Sequence, residues 1–169
     1  MKPLICDLPY PSVDTLTKDL RSGNIISFAY ATLRGELTAT LQYTFRRVLF
    51  RSLSNYDAED AQLLMSIAIA EMKHIEILGE SMLKLGVSPK YVQHPNTQAF
   101  YNTSTVSQST TPQKMLMDDI QGEMNAICDY QKMLYTLKNE QVEAIIQRII
   151  LDEQLHLETL KKMLERYAK

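Results

Sequence analysis

The sequence predicts an all-α fold, a four-helix bundle of two antiparallel helical hairpins joined by a long crossover between helices two and three. Three observations predict it. Apolar residues recur at 3.6 spacing over stretches too long for strands. Turn-forming residues cut the chain into four segments of roughly 25 to 30 residues, a usual length for bundle helices. One connection between segments is far longer than a hairpin turn requires.

Residues 1–23 form a lead segment that opens with MKPLICDLPYPSVD, in which Pro3, Pro9 and Pro11 disfavour a helix. Gly23-Asn24 starts helix one, with Asn24 as a candidate N-cap, and Ser54-Asn55-Tyr56-Asp57 ends it. Asp57 can cap helix two, whose buried stripe reads Leu64, Ile67, Ala68, Glu71, His74, Ile75, Leu78 and Met82. Gly86 suits a left-handed C-cap, and Pro89 follows it. Residues 87–111, polar in HPNTQAFYNTSTVSQSTTP, make the crossover. A helix of about 28 residues is about 42 Å long, and such a connection can stretch to roughly 80 Å. It can therefore run back along the bundle and set helix three parallel to helix two, the alternative being a slack loop between antiparallel neighbours. Thr111 and Pro112 open helix three, and Asn139 caps helix four, whose stripe is Ile145, Ile146, Ile149, Glu153, His156, Leu160 and Met163.

Bulk properties exclude several classes. A chain of 169 residues is about one domain, 1–169. With 18 basic and 20 acidic residues there is no basic excess to hold nucleic acid. No stretch has the length of a signal peptide's apolar core or of a membrane span, so a cytoplasmic protein with no membrane partner is expected. Cys6 and Cys128 are the only cysteines and form no C-x-x-C pair, which leaves no disulfide framework, zinc ribbon or rubredoxin-type iron site. Cys128 is expected in the core.

One word is written twice: GELTATLQY, Gly35 to Tyr43, returns as GEMNAICDY, Gly122 to Tyr130. The first lies in the expected middle of helix one and the second in helix three. Seven residues separate Glu36 from Tyr43 and Glu123 from Tyr130, which puts each pair on one helix face. EMKH sets Glu71 and His74 one turn apart, and EQLH does the same for Glu153 and His156. Four glutamates and two histidines thus converge from apolar stripes. Ionised glutamates there are costly unless compensated. Two divalent cations would balance four carboxylates and leave both imidazoles neutral; a metal-free network of Glu and His is the alternative.

The order Glu, Glu-x-x-His, Glu, Glu-x-x-His on successive long helices resembles the ferritin-like superfamily of di-iron and di-manganese carboxylate proteins, over about residues 24 to 167. The Glu-x6-Tyr words are similar to those of rubrerythrins, and HIEILGESMLKLGVSPKY to manganese-catalase and spore-coat relatives. The resemblance implies a ferritin-like bundle in which Glu36 and His74 serve one metal and Glu123 and His156 the other, with Glu71 and Glu153 bridging at the centre of the chemistry. It implies two iron or two manganese ions, hydrogen peroxide or dioxygen as substrate, a possible external electron donor and a homo-oligomer, expected as a dimer. The function implied is a non-haem di-metal oxidoreductase, peroxidase- or catalase-like. A ferroxidase or iron-storage protein and a non-catalytic spore-coat component are the alternatives. Ala126 stands where rubrerythrins carry a further Glu, and with Leu157 to Lys169 following His156 neither a fifth ferritin helix nor a rubredoxin module is expected.

The flanking residues complete the expectations. Gly35 and Gly122 suggest close approach of helices one and three beside the ligands, against incidental glycines. Tyr43 and Tyr130 can donate hydrogen bonds to the site or relay single electrons, against simple core packing. Asp152 can orient His74 through its free ring nitrogen, against a solvated flank. His94 lies in the crossover, off both stripes.

Overall fold

The computed structural model describes residues 1–52 and 58–167, so the turn expected at Ser54 to Asp57, with its cap Asp57, lies outside the described residues. The described residues form the helices α1 (Leu20–Tyr30), α2 (Glu36–Ser52), α3 (Ala58–Leu85), α4 (Pro112–Thr136) and α5 (Glu140–Tyr167). None is long and apolar enough to cross a membrane. The α2–α3 and α4–α5 pairs are the two antiparallel hairpins, and α1 packs on α3.

The first helix departs from expectation, because the chain breaks between Tyr30 and Glu36. Thr32 Oγ1 donates to the Phe28 carbonyl at 2.9 Å and accepts the Arg34 N–H at 3.3 Å, while Thr38 Oγ1 donates to the Thr32 carbonyl at 2.9 Å. These hydroxyls offer the backbone an alternative to helix and turn it out of line. Gly35 therefore caps α2 instead of lying mid-helix: its carbonyl accepts the Thr38 N–H at 2.9 Å. Asn24 falls inside α1, whose cap is Asp19, accepting the Ser22 N–H at 3.1 Å.

The other described boundaries fall where the sequence places them. Gly86 is left-handed, with φ of 89°, and the Val87 N–H reaches back to the Met82 carbonyl at 2.8 Å. Thr111 precedes Pro112 at the start of α4, although its side chain makes no capping hydrogen bond, and Asn139 Oδ1 accepts the Val142 N–H at 3.3 Å. The crossover runs along α2: Thr105 Oγ1 donates to the Leu33 carbonyl at 2.6 Å, the Ser107 N–H to Gln42 Oε1 at 2.9 Å, and Arg46 Nη1 to the Ser109 carbonyl at 2.9 Å. It delivers α4 to the far end of α2, so α4 is antiparallel to α2 and parallel to α3.

Apolar side chains collect in two clusters. One holds Ile26, Tyr30, Leu78, Met82, Ile145, Ile146, Ile149 and Ile150; the other holds Phe50, Leu64, Ile67, Met115, Leu116 and Leu160. Between them lies a buried polar layer.

Candidate metal centre

That layer is where α2, α3, α4 and α5 face one another. The structure brings together all six residues singled out by the repeated words: Glu36 from α2, Glu71 and His74 from α3, Glu123 from α4, and Glu153 and His156 from α5, none more than 5% exposed. They form two overlapping groups. Glu36, Glu71, His74 and Glu153 each offer a ligand atom within 4.8 Å of the others, and Glu71, Glu123, Glu153 and His156 do the same. Glu71 and Glu153 belong to both.

His74 Nδ1 lies 3.1 Å from Glu153 Oε1, 3.3 Å from Glu71 Oε2 and 3.6 Å from Glu36 Oε2. His156 Nδ1 lies 3.1 Å from Glu71 Oε1, 3.8 Å from Glu123 Oε2 and 3.9 Å from Glu153 Oε2. Close as they are, Glu71 Oε1, Glu153 Oε1 and His156 Nδ1 make no aligned hydrogen bond. Lone pairs that converge without bonding one another suit a shared cation, and a donor set of four carboxylates and two imidazoles suits iron or manganese. The residues fit a pair of divalent ions.

The electrostatics point the same way. Burial, and then the Glu71 charge, push Glu36 up to about 8. Burial followed by Glu71, Glu123 and Glu36 drives Glu153 well above the carboxylate range. Burial would also raise Glu71, but the close approach of Glu36, His156 and His74 outweighs it and holds it well below. For His156 burial opposes the charge, yet Glu123 and Glu71 lift it to about 10. So many acids in one dry layer demand positive charge.

Around the cluster, the tyrosines cross over. The Tyr43 hydroxyl donates to Glu123 Oε1 and the Tyr130 hydroxyl to Glu36 Oε1, each bond joining one hairpin to the other. Asp152 is fully buried and accepts from His74 Nε2 at 3.2 Å. His94 is exposed, its ring edge-on to Phe28 with centroids 4.9 Å apart. Cys128 is also exposed, contrary to expectation, because its face of α4 turns away from both Glu123 and α5. A cavity of about 800 Å3 opens between α1, α2 and α4, walled by Phe28, Ala39, Gln42, Ala126 and Met133, and reaches Glu36, Glu123 and Glu153.

Sequence reasoning missed several residues around the site. Arg148 lies 2.7 Å from Asp152 Oδ1, and Tyr10 donates to Asp152 Oδ2 while lying 4.1 Å beneath the Arg148 guanidinium. The Leu4 carbonyl accepts from His156 Nε2 at 2.8 Å. On the far side, buried Arg46 pairs with Asp119 at 3.3 Å, and Gln42 donates to the same carboxylate at 2.7 Å. Arg148 precedes Asp152, and Asp119 precedes Glu123, by one helical turn, a spacing that could have been read. A backbone carbonyl carries no such signal.

A family model described as the ferritin-like domain matches residues 30–169. No curated protein matches the sequence. Among solved structures, KatB, a manganese catalase from Anabaena, superposes with a TM-score of 0.82 at 19% identity, covering 97% of this chain and 80% of that one. A Rhodobacter capsulatus bacterioferritin with a metal-free dinuclear site gives 0.70 at 24% identity, over 90% of this chain and 89% of that one. A ferritin-like diiron-carboxylate protein from Bacillus anthracis gives 0.64 at 22% identity, over 86% and 94%. At these identities the likeness is one of fold.

Proposed function

We propose that this chain, which belongs to the ferritin-like domain family, is a non-haem di-metal oxidoreductase that acts on hydrogen peroxide or dioxygen. The observation that supports it most is the pair of overlapping groups with Glu71 and Glu153 in common. In this reading Glu36 and His74 would hold one ion and Glu123 and His156 the other, with Glu71 and Glu153 available to both. Two such ions would supply a two-electron couple, able to give electrons to peroxide or take them from it.

The chain's own groups do the rest. Tyr130 and Tyr43 each occupy one oxygen of Glu36 and Glu123, which fixes the carboxylate planes and leaves the other oxygen for an ion. Burial, and then the adjacent glutamate, hold both phenols well above their ordinary value, so they stay donors at neutral pH. The two apolar clusters exclude bulk water from above and below. The cavity between α2 and α4 gives a small oxidant its way to Glu36 and Glu123.

Catalase-like dismutation needs no outside reductant, whereas a peroxidase needs an electron donor. The test follows peroxide decay and oxygen evolution together in iron- and manganese-loaded protein. Oxygen at half the molar amount of peroxide lost, without added reductant, identifies a catalase; loss only on adding a reduced donor identifies a peroxidase. Glu71→Ala and Glu153→Ala should abolish either activity, while Cys128→Ser, on the exposed face of α4, should not. No loss under either condition sinks the peroxide reading. The fold shared with bacterioferritin favours ferroxidase storage as a second reading, which a cage-sized particle on size-exclusion chromatography would support.

A further inference from the structure

The two Glu-x-x-His words match at their ligands but differ one residue earlier, where Asp152 precedes Glu153 and Ala70 precedes Glu71. Asp152 crosses to the other hairpin and accepts the Nε2–H of His74 at 3.2 Å. Its counterpart Ala70, fully buried, has nothing to offer His156. The place is taken by main chain: His156 Nε2 donates to the Leu4 carbonyl at 2.8 Å.

Leu4 is held there from several directions. Its N–H donates to the Ser66 carbonyl at 2.9 Å, and Ser66 lies one turn before Ala70 on the same face of α3. Its side chain packs against the apolar cluster of Phe50, Leu64 and Leu160. Farther along, Arg148 Nη2 donates to the Cys6 carbonyl at 2.9 Å and Nε to the Leu8 carbonyl at 2.8 Å. The Cys6 N–H and the Tyr10 hydroxyl close on the two oxygens of Asp152. One short segment thus touches the outer partners of both histidines.

We infer that residues 4–10 are a strap that stands in for an aspartate missing at position 70, and that the two metal positions are unequal because of it. The inference rests on the two-metal reading above. Nε2 of each ring meets an acceptor and Nδ1 faces the glutamates, so with an ion bound each ring would keep its proton on Nε2. His74 donates to a carboxylate, His156 to a neutral carbonyl. An imidazole backed by a carboxylate is the more basic ligand, so the Glu36–His74 position holds its ion more tightly and fills first. Leu4 and Asp152 are positioning residues and touch no ion themselves.

The experiment titrates Co2+ into metal-free full-length protein, reading cobalt absorption and bound metal per chain. The wild type should take two ions in two steps. Leu4→Pro cannot donate to Ser66; it should loosen the second step by about 10- to 100-fold and spare the first, whereas Asp152→Asn should loosen the first. Adding Ala70→Asp to Leu4→Pro should restore the second step, since a buried carboxylate helps only if it reaches His156. Two unchanged steps in folded Leu4→Pro, no recovery with Ala70→Asp, or a single wild-type step for both ions would overturn the inference alone. Fewer than two ions in the wild type would sink the two-metal reading and the inference with it. Should Leu4→Pro not fold, nitrogen-15 NMR of the Zn2+-loaded wild type decides. The His156 Nε2 proton should be present and protected from exchange; its absence, or rapid exchange, overturns the strap.

Discussion

Gly35 and Gly122 precede the two outer glutamates in the same repeated word and do opposite things. A Cβ on Gly35 would lie 2.4 Å from the Ala29 carbonyl oxygen, a backbone atom that cannot move aside cheaply, whereas one on Gly122 would meet nothing within 4 Å. Neither glycine serves the close approach of two helices that the sequence suggested. Gly35→Ala should therefore cost about 1–3 kcal/mol as an overpacking substitution, and Gly122→Ala should add about 0.5–1 kcal/mol as helix propensity alone. Urea unfolding of the two variants checks this, and shifts of equal sign would refute it. The six clustered residues were legible because Glu and His are expensive in an apolar stripe and so announce themselves. The pairing of the tyrosines was not. Glu-x6-Tyr puts each tyrosine on its own glutamate's face, but the hydroxyl reaches the other hairpin.

Among the helices, the legible boundaries were those with local chemistry. Gly86, Thr111-Pro112 and Asn139 mark the ends they seemed to mark, since turn and cap residues act on their immediate backbone. The gap between α1 and α2 was hidden because Ala31-Thr32-Leu33-Arg34 holds no breaker. The interruption is made by hydroxyl bonds that span several residues. Moving the start of α1 to Leu20 gives Asp19 two duties, capping the helix and accepting from Asn139 Nδ2 at 3.1 Å, which ties α1 to the start of α5. Hydrogen bonds from the Ser22 hydroxyl, the Ser22 N–H and Asn139 hold its carboxyl below the ordinary 3.8. A depressed carboxyl contributes stability above its unfolded value and loses it as the pH falls through its folded one. Asp19→Ala should therefore cost about 1 kcal/mol at neutral pH, and the gap to wild type should close as the pH drops below 3.8. A penalty that persists unchanged in acid would mean that packing, not the carboxylate, matters there.

The molecule as a whole is two apolar halves separated by a charged waist. A bundle built this way gives up core continuity at its middle, and two divalent ions would repair it. Loading should stabilise the fold by about 4 kcal/mol at a metal concentration 1,000 times the Kd, a rise in Tm on the order of 10 °C. Thermal melts with and without chelator test this; coincident curves would mean that the waist needs no ion. The crossed tyrosine bonds bear on how the fold is reached. Tyr43–Glu123 and Tyr130–Glu36 join residues 80 and 94 apart in sequence, so each closes a long loop. Such contacts pay their entropy before they return any energy. Each hairpin can zip locally, yet neither can satisfy its own outer glutamate; on refolding, helical ellipticity should recover before the buried tyrosine signal. The site should therefore be the last part of the protein to come into being, since a nascent chain stalled before α4 carries Glu36, Glu71 and His74 but lacks the Glu153 they share and the Tyr130 that holds Glu36.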